Sequence, residues 1–557
     1  MKKYTFEREE LANRLSDGCI IGHTTSSSAK IWVRVAVAGM YTLIVSTQRI
    51  KVDPYEIGKD EEIEDYLERI KERVGIRDPI LLRHEFNDEK DKTHVFNISL
   101  PKGPDETSDQ GTTYHYAVVA NKKVPVNRRW RFGFEKEHSF QTPPEEPQNI
   151  TFGYFSCHDP FKKGASGIDL WDDFYDILTE YQASFVIGGG DQIYIDCTKE
   201  DIWKWVKENK DQLWDEYQND KPGLIKYFKT IYRYVYRKYW SFPEVRKVFR
   251  SFPMYMMWDD HEIMDGWGSY TDDEWSDKLD SIFEWENKEQ NLFLVNAMFE
   301  AAKAVYVEYQ HSHNPGETPV SVDPTPQFDY QFCQGDIGFY ALDMRGHRNY
   351  AGKDGERILG KNQFDRFKTW IQSDEIKQKK VLFIISPVPV IHWQSTFVNG
   401  LDVSIAKDDF RDEWGHESNY TERDKMLDQV FAYSREEGKP IIFLSGDVHC
   451  AAVFKLTRSG EGNAKAKVFQ FTSSAITRPP AHKIVSLMVL ERGKLGHNKD
   501  ARKKQLTKFE KLLFVARHNF GLIRCTSTKN KGMEIWGHLY SSDNKENELI
   551  CSRIKLS

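Results

Sequence analysis

The sequence predicts an all-β domain followed by an α/β domain with mixed sheets, and three observations support this fold class. The chain has 557 residues, which is too many for one compact core. Residues 18–141 alternate between apolar and polar side chains, whereas strand-like and helix-like segments alternate after residue 150. A stiff, polar, proline-containing segment at 142–149 separates the two regions, and we place the linker there.

The N-terminal region, residues 1–141, is predicted to be an antiparallel β-sandwich. Period-two patterning with glycine and serine turns between the runs is typical of such a domain. One inserted helix is expected, because apolar residues recur at helical spacing from Ile63 to Val74 and Gly75 follows as a C-cap. The strand-like runs lie at 30–37, 41–47, 93–100 and 113–119.

The second region, residues 150–557, is predicted to be an α/β domain with a largely helical insertion at about 199–250. A hairpin is expected at 328–343, with its turn at Gln334-Gly335-Asp336. A further strand precedes Asp259. The remaining predicted strands are 151–156, 185–188, 380–386, 440–445, 451–457 and 467–472, and the predicted helices are 167–182, 281–309, 361–372 and 422–436.

Two basic segments allow more than one interpretation. Between Tyr227 and Trp240, aromatic residues alternate with lysine and arginine, a composition that also suits stacking on nucleobases. We prefer a helix that packs on the core. The second segment, at about 481–518, contains Arg502-Lys503-Lys504, and a solvated helix or mobile lid is preferred there to a polyanion site. The preference for core packing in the first segment rests on one helical face that carries Phe228, Ile231, Tyr232, Val235 and Tyr239.

Composition and charge exclude several classes of protein. With 39% hydrophobic and 29% charged residues the chain is neither disordered nor a membrane protein, and no apolar run has the length of a membrane span. A net charge of -7 argues against a stable nucleic-acid partner. The seven cysteines are scattered and the N-terminus does not resemble a signal peptide, so we expect a cytoplasmic protein. The sequence makes no prediction of the oligomeric state.

The residues that suggest chemistry follow four apolar runs, each at the point where a predicted strand ends. Side chains at the carboxyl ends of strands meet in one crevice of an α/β sheet. Acidic residues that converge there would repel one another unless cations neutralised them, so the pattern predicts a metal centre. Any one of these motifs alone is more simply a helix start, a surface turn or a buried cysteine. The candidates are Cys157, Asp159, Asp191, Tyr194, Asp259, Asp260, His261, Glu262, Asp447 and His449.

In this order, the motifs resemble those of the alkaline phosphatase D (PhoD-like) branch of the calcineurin-like metallophosphoesterases. The matching motifs are Ser156-Cys157, Gly190-Asp191-x-x-Tyr194, Trp258 to Glu262 and Gly446-Asp447-Val448-His449. The sequence near Gly18, GCIIGHTTSSSAKIWVRV, also resembles the N-terminal domain of this branch. The resemblance implies a four-layer α/β/β/α sandwich preceded by a fibronectin- or immunoglobulin-like β-sandwich.

The resemblance also implies a set of metal ligands. Cys157, Asp191, Tyr194 and His449 would hold one metal ion, Fe3+ in this branch. Asp191 would bridge to a second ion held by Asp260 and Asp447, and Asp159 is a further candidate ligand. Ser386 stands where the superfamily has another histidine. The second site is therefore rich in oxygen, which favours Ca2+, with Mn2+, Mg2+ and Zn2+ as alternatives.

The same resemblance implies a histidine that acts as an acid, a carboxylate that orients it and an arginine that binds phosphate. His261 would protonate the leaving group, with either Glu262 or Asp259 to orient its ring. Arg345 or Arg348 would grip a non-bridging phosphate oxygen. A structural ion pair with Asp343 is an equally acceptable role for either arginine.

Together these residues imply a metal-dependent phosphoric ester hydrolase that acts through a metal-bound hydroxide. Phosphodiesters are the preferred substrates, and phosphomonoesters are a further class. The expected partner is a small phosphate ester, such as a nucleotide or a lipid headgroup. The alternatives are an alkaline phosphatase specific for monoesters, a phosphate- or nucleotide-binding protein with little turnover, and a nuclease or nucleotide phosphodiesterase that uses the aromatic and basic helix.

Overall fold

The structure is a computed structural model, and it describes most of the chain in segments. The predicted cap Gly75 and the basic cluster Arg502-Lys503-Lys504 lie outside the described residues. Within the described part, no helix is long and apolar enough to cross a lipid bilayer. The described segments are 18–50, 62–74, 78–101, 111–121, 138–162, 170–196, 201–269, 288–317, 327–349, 352–391, 414–458, 465–480, 492–495, 507–528, 532–542 and 548–557.

Seven strands form two antiparallel sheets at the N-terminal end of the chain. One sheet has the order β1-β2-β5 and the other the order β4-β3-β6-β7. Residues of both sheets share one apolar core, to which Ile31, Leu43 and Phe96 belong. The strands are β1 (Gly18–Thr24), β2 (Ser28–Arg34), β3 (Gly39–Ser46), β4 (Ile80–Phe86), β5 (Thr93–Ser99), β6 (Thr113–Ala120) and β7 (His138–Gln141).

The inserted helix α1 spans Ile63–Val74, as the helical spacing predicts. Its buried residues Tyr66 and Leu67 pack against Ile44 and Val119 on the outer face of the second sheet. The inner face of that sheet belongs to the sandwich core, so both of its faces are partly covered. This explains why the alternation of polar and apolar residues is weak along β3.

The first mixed sheet of the second region has the strand order β10-β9-β8-β19-β20-β21. The first three strands in this order are parallel and the last three pair in antiparallel fashion. The sequence analysis did not predict the last three. The strands are β8 (Asn149–Phe155), β9 (Phe185–Gly189), β10 (Met254–Met257), β19 (Asn519–Ser527), β20 (Met533–Ser542) and β21 (Leu549–Lys555).

The second mixed sheet has the order β11-β12-β13-β14-β16-β15-β18-β17. Strands β12, β13, β14 and β16 are parallel, whereas β11 and β12 form the predicted hairpin. The strands are β11 (Tyr330–Gln334), β12 (Ile337–Ala341), β13 (Val381–Ile385), β14 (Pro440–Ser445), β15 (Ala451–Arg458), β16 (Lys467–Thr472), β17 (Arg492–Lys494) and β18 (Thr507–Val515).

The helices of the second region pack on the outer faces of the two sheets. One apolar core lies between the sheets and includes Phe152, Phe339 and Phe383. The ring of Phe339 packs edge to face with that of Phe152 and stacks on that of Phe383. Two further cores join each sheet to its own helices. The helices are α2 (Leu170–Glu180), α3 (Ile202–Tyr217), α4 (Lys221–Tyr239), α5 (Pro243–Phe249), α6 (Lys288–Tyr309), α7 (Gly360–Gln372), α8 (Asp374–Gln378) and α9 (Tyr420–Glu437).

Local sequence explains where several of these helices begin and end. The carboxylate of Asp201 accepts hydrogen bonds from the backbone N–H groups of Trp203 and Lys204, so it caps α3. Asp220 caps α4 in the same way through Gly223. Helix α9 ends at Glu437, and the following Gly438, with a φ of 67°, supplies the left-handed residue of its C-cap.

The structure decides between the interpretations of the two basic segments where it describes them. Phe228, Ile231, Tyr232, Val235 and Tyr239 of α4 are all buried, so this stripe packs on the core and has no aromatic face left for nucleobases. In the C-terminal segment, the described parts form the antiparallel pair β17 and β18. The prediction of a solvated helix is therefore wrong for residues 507–515.

Buried ion pairs and hydrogen bonds join the N-terminal sheets to the helices of the second region. Asp91 pairs with Arg34 of β2 at 3.0 Å and with Arg237 of α4 at 2.6 Å. It also accepts a hydrogen bond from the hydroxyl of Tyr309 at the end of α6. One buried carboxylate therefore connects the two regions. Its removal would leave two buried guanidinium groups without a counter-ion.

Candidate metal centre

Four strand ends bring the candidate residues together. Strands β8, β9 and β10 are parallel neighbours, and Cys157, Asp191 and Asp259 follow their carboxyl ends within two residues. Strand β14 of the other sheet ends at Ser445, two residues before Asp447. The carboxyl ends of both sheets therefore meet at one place, which is where α/β folds bind their ligands.

Four of the candidate residues have a left-handed backbone. Their φ angles are 56° for Cys157, 55° for Asp191, 64° for Asp447 and 51° for His449. Residues other than glycine rarely adopt this conformation, and where they do they often mark functional sites. In addition, the backbone N–H groups of Cys157 and His158 donate to the carbonyls of Gly190 and Asp191, so two of these turns hold each other.

Potential ligand atoms form three overlapping groups, in each of which the atoms lie within 4.8 Å of one another. The first group is Cys157, Asp191 and His449. The second is Asp191, Asp260 and His261, and the third consists of Asp191, Asp259, Asp260 and Asp447. Asp191 is the one residue common to all three groups, so its carboxylate is shared by every candidate ligand set found among the described residues.

The carboxylate of Asp191 is buried and only partly satisfied by hydrogen bonds. Its Oδ2 accepts from the hydroxyl of Tyr194 at 2.9 Å, whereas its Oδ1 has no hydrogen-bond partner. Burial raises the pKa of Asp191 well above its usual value, and the nearby acids Asp260, Asp259 and Glu262 raise it further, against the effect of His261. A buried carboxylate among other acids, with an unused oxygen, fits a metal ligand.

Two further donors lie beside Asp191: the thiol of Cys157, a soft donor of the first group, and the phenol of Tyr194, a hard donor next to that group. The thiol of Cys157 lies 3.5 Å from Asp191 Oδ2 and accepts a hydrogen bond from Ser474 at 3.0 Å. Burial raises the pKa of both the Cys157 thiol and the Tyr194 phenol, and Asp191 adds to both shifts. Both groups would ionise on binding a cation, so a highly charged ion such as Fe3+ fits this donor set.

The carboxylate that orients His261 is Asp196, which the sequence analysis missed. His261 Nδ1 lies 2.8 Å from Asp196 Oδ1, and both side chains are buried. The expected helpers have other partners: Glu262 accepts from the backbone N–H groups of Gln192 and Asp259, and Asp259 pairs with Arg345. Asp196 lies only two residues after Tyr194, so the Asp191 loop supplies both a ligand and the partner of His261.

Glu262 joins the two loops that carry the acidic ligands. Its Oε1 accepts from Gln192 N–H at 2.7 Å and from the Gln310 side chain at 3.0 Å, and its Oε2 accepts from Asp259 N–H at 2.9 Å. Gln192 directly follows Asp191, and Gln310 directly follows α6. Through these bonds one buried side chain helps to set the spacing of the acidic loops.

Arg345 is fully buried and contacts the acids of the centre. Its Nε donates to Asp259 Oδ1, its Nη2 lies 3.6 Å from Asp260 Oδ1, and its Nη1 donates to the carbonyl of Trp267 at 3.2 Å. Asp343, which the sequence allows as the partner in a structural ion pair, accepts from the backbone N–H of Arg345, while the guanidinium pairs with Asp259. These contacts suit an arginine that positions the acids.

Asp159 has partners outside the three ligand groups. Its Oδ2 pairs with Arg478 Nη1 at 2.8 Å, and its Oδ1 accepts from the Tyr239 hydroxyl at 3.2 Å. The described residues therefore give no support to the prediction that Asp159 binds a metal. Arg478 was not among the predicted site residues, because nothing in its local sequence distinguishes it from a surface arginine.

Ser386 does not take the place of a histidine ligand. Its hydroxyl donates to the carbonyl of Val388 at 2.6 Å and accepts from the indole N–H of Trp414 at 3.2 Å. The group formed by Asp191, Asp259, Asp260 and Asp447 accordingly consists of oxygen donors. Such a set suits Ca2+, Mg2+ or Mn2+ better than Zn2+.

Comparisons with known proteins agree with this geometry. The family model described as PhoD-like phosphatase matches residues 152–534, which is more than half of the chain. A search of curated proteins found no match. A solved structure titled "Structure of PhoD" superposes with a TM-score of 0.60 at 14% identity, over 100% of this chain and 93% of that one, and at this identity it shows the fold alone.

A second solved structure is GAP50, described as the anchor in the inner membrane complex of Plasmodium. It covers 74% of this chain and 89% of its own, with 11% identity and a TM-score of 0.32. A superposition of this quality carries no argument about fold or function.

Proposed function

The chain belongs to the PhoD-like phosphatase family and is therefore a phosphoric ester hydrolase, and we propose that it hydrolyses phosphodiesters in preference to monoesters at a centre of two metal ions. The observation that supports two ions most directly is that Asp191 is common to all three ligand groups.

We also assign the second region of the chain to the four-layer α/β/β/α class and the first region to the fibronectin- or immunoglobulin-like sandwiches. The core between the sheets and the two helix-facing cores support the first assignment.

The family is metal-dependent, and the donor sets suggest which residues hold which ion. Cys157, Asp191, Tyr194 and His449 would hold Fe3+. Asp191, Asp260 and Asp447, with Asp259 beside them, would hold Ca2+ or another oxygen-preferring ion. When bound, such ions neutralise charge on the phosphoryl oxygens and lower the pKa of water.

The protein side chains would orient the metal-binding carboxylates and transfer a proton to the leaving group. His261 lies in the same group as Asp191 and Asp260, so its imidazole is close to a phosphate bound there. Asp196 would accept a hydrogen bond from Nδ1–H and stabilise the protonated ring, whose Nε2–H then supplies the proton to the alkoxide of the leaving group. Arg345 fixes the carboxylates of Asp259 and Asp260, and Glu262 fixes the spacing between the two loops. The side chains of the protein therefore contribute mainly a preorganised set of ligands and one proton for the leaving group.

A comparison of two substrates tests the proposed preference. Protein purified without chelator and supplied with Ca2+ or Mn2+ is assayed with bis(p-nitrophenyl) phosphate and with p-nitrophenyl phosphate. The proposal expects a larger kcat/KM for the diester. A larger value for the monoester would replace the diesterase assignment by a monoesterase one, and turnover of neither ester by metal-loaded protein would contradict hydrolysis of both classes.

A further inference from the structure

Arg478 lies beside the first ligand group and is anchored to it by its backbone. It follows strand β16 by six residues, and its N–H donates to the carbonyl of Cys157 at 3.2 Å. Its guanidinium carbon lies 4.3 Å from the centre of the Tyr194 ring, and the hydroxyl of that ring contacts Asp191. A cation is thus stacked on a side chain that contacts Asp191, the residue common to all three ligand groups.

Asp159 holds this cation in place. The buried carboxylate of Asp159 pairs with Arg478 Nη1 at 2.8 Å and also accepts from the hydroxyl of Tyr239. The Tyr239 hydroxyl is 3.0 Å from the carbonyl of Tyr194, so the support and the ligand loop are linked. The ion pair with Asp159 and the ring of Tyr194 together restrict the Arg478 side chain before any ligand binds. Arg478 therefore loses less conformational entropy on binding a ligand than a freely moving arginine would.

Two arginines near the centre differ in exposure. The side chain of Arg345 is 0% exposed and its contacts are with Asp259, Asp260 and the Trp267 carbonyl. The side chain of Arg478 is 12% exposed, so part of it faces solvent beside the ligands. Of the two arginines, Arg478 therefore has a side chain partly open to solvent, whereas Arg345 is enclosed among the groups that it binds.

From these contacts we infer that Arg478 is a substrate-binding residue that donates hydrogen bonds to a non-bridging oxygen of the phosphoryl group. A planar guanidinium matches the geometry of two phosphate oxygens, and the hydrogen bonds would be charge-assisted. Asp159 is then a positioning residue that acts through Arg478. This inference rests on the proposed function, since it names a further contact of the same substrate.

Binding of inorganic phosphate to metal-loaded protein tests the inference without catalysis. We expect Arg478→Ala to weaken phosphate binding in calorimetry by roughly 10- to 100-fold, because a hydrogen bond between charged groups is lost. The KM for bis(p-nitrophenyl) phosphate should rise by a similar factor, with a smaller change in kcat. Arg478→Lys should restore part of the affinity, since it keeps the charge but not the planar pair of donors.

Arg492→Ala serves as the matched control, because this arginine is 79% exposed and pairs with Glu510 on the surface. It should bind phosphate as the unchanged protein does. Phosphate affinity in Arg478→Ala within about twofold of the control, at equal metal content, would overturn the inference. Loss of metal from Arg478→Ala would also overturn it and make Arg478 a support of the centre. Should the unchanged protein hydrolyse neither ester, the proposed function fails, while the phosphate titration still decides the role of Arg478.

Discussion

Asp196 Oδ1 lies 2.8 Å from Nδ1 of His261, and this contact joins the loop after β9 to the loop after β10. The backbone N–H of Ile195 also donates to the carbonyl of His261, so the two loops are held by both backbone and side chains. The carboxylate directs Nδ1–H and favours the protonated ring, so the Nε2–H of His261 is the proton available to a substrate.

We predict that Asp196→Asn lowers kcat by roughly 100-fold, near the lower end of what proton transfer contributes to catalysis. Asparagine carries no charge, so it does not stabilise the protonated imidazole that must give up its Nε2 proton. Metal content should stay unchanged, because Asp196 belongs to none of the ligand groups found among the described residues. The effect should be largest for substrates with poor leaving groups, which need the proton most. Equal losses for good and poor leaving groups would contradict this role.

Replacement of Glu262 should loosen the centre. The carboxylate accepts three hydrogen bonds, from Gln192, Asp259 and Gln310, and the amide of Glu262→Gln cannot accept all three. We expect the free energy of unfolding to fall by about 1–3 kcal/mol. Chemical denaturation measures this change. The control is Glu300→Gln, a change at a carboxylate that pairs with Lys303 of the same helix α6. Equal stability of the two variants would contradict the account.

Because of Asp91, the free energy of unfolding should depend on pH in the acidic range. Burial alone would raise the pKa of Asp91, but Arg34 and Arg237 outweigh it and hold the pKa below its usual value. The folded state therefore keeps Asp91 ionised at a pH where the unfolded chain takes up a proton. Its contribution is fully present above the unfolded pKa, near pH 4, and is lost as the pH falls towards the folded pKa.

The variant Asp91→Asn is therefore expected to unfold more easily at neutral pH by about 3–5 kcal/mol, because two buried guanidinium groups lose their counter-ion. Its stability should fall less steeply below pH 4 than that of the unchanged protein. Thermal unfolding at neutral and acidic pH measures both effects. Parallel curves for the two proteins across this range would show that Asp91 does not carry the acid dependence.

The oxygen-rich group predicts which ion restores activity after chelation. Treatment with EGTA should abolish turnover if Ca2+ occupies the site formed by Asp191, Asp260 and Asp447. Added Ca2+, Mg2+ or Mn2+ should then restore it better than Zn2+, which prefers nitrogen and sulfur donors. A chelated protein that recovers with Zn2+ alone would contradict this ligand assignment.

Much of the fold follows from local sequence patterns. Amphipathic spacing predicts α1 within its observed bounds, and the hairpin of β11 and β12 follows from two apolar runs around Gly335. Strands β19, β20 and β21 were missed. Strand β19 pairs with β8, more than 350 residues earlier in the chain, and no local pattern reveals such a partner. Burial on both faces also removes the alternation that marks an exposed sheet.

The site was predictable where a motif follows a strand, and unpredictable where contacts cross between loops. Cys157, Asp191, Asp260, Asp447 and His449 come together as the strand ends suggest. The partners of His261 and Asp159, by contrast, depend on how separate loops pack. Asp196 is near in sequence to a motif but not part of it, and Arg478 is more than 300 residues from its partner Asp159.

The measurement that tests the central claim most directly is the metal content of Asp191→Asn together with its activity. Because Asp191 belongs to every ligand group, the account predicts that this variant loses both kinds of metal ion along with hydrolysis of bis(p-nitrophenyl) phosphate. The control is Asp176→Asn, a change at an exposed position of α2, which should retain both. Full occupancy by two ions in purified, folded Asp191→Asn, measured by elemental analysis, would contradict the assignment of Asp191 as the bridge.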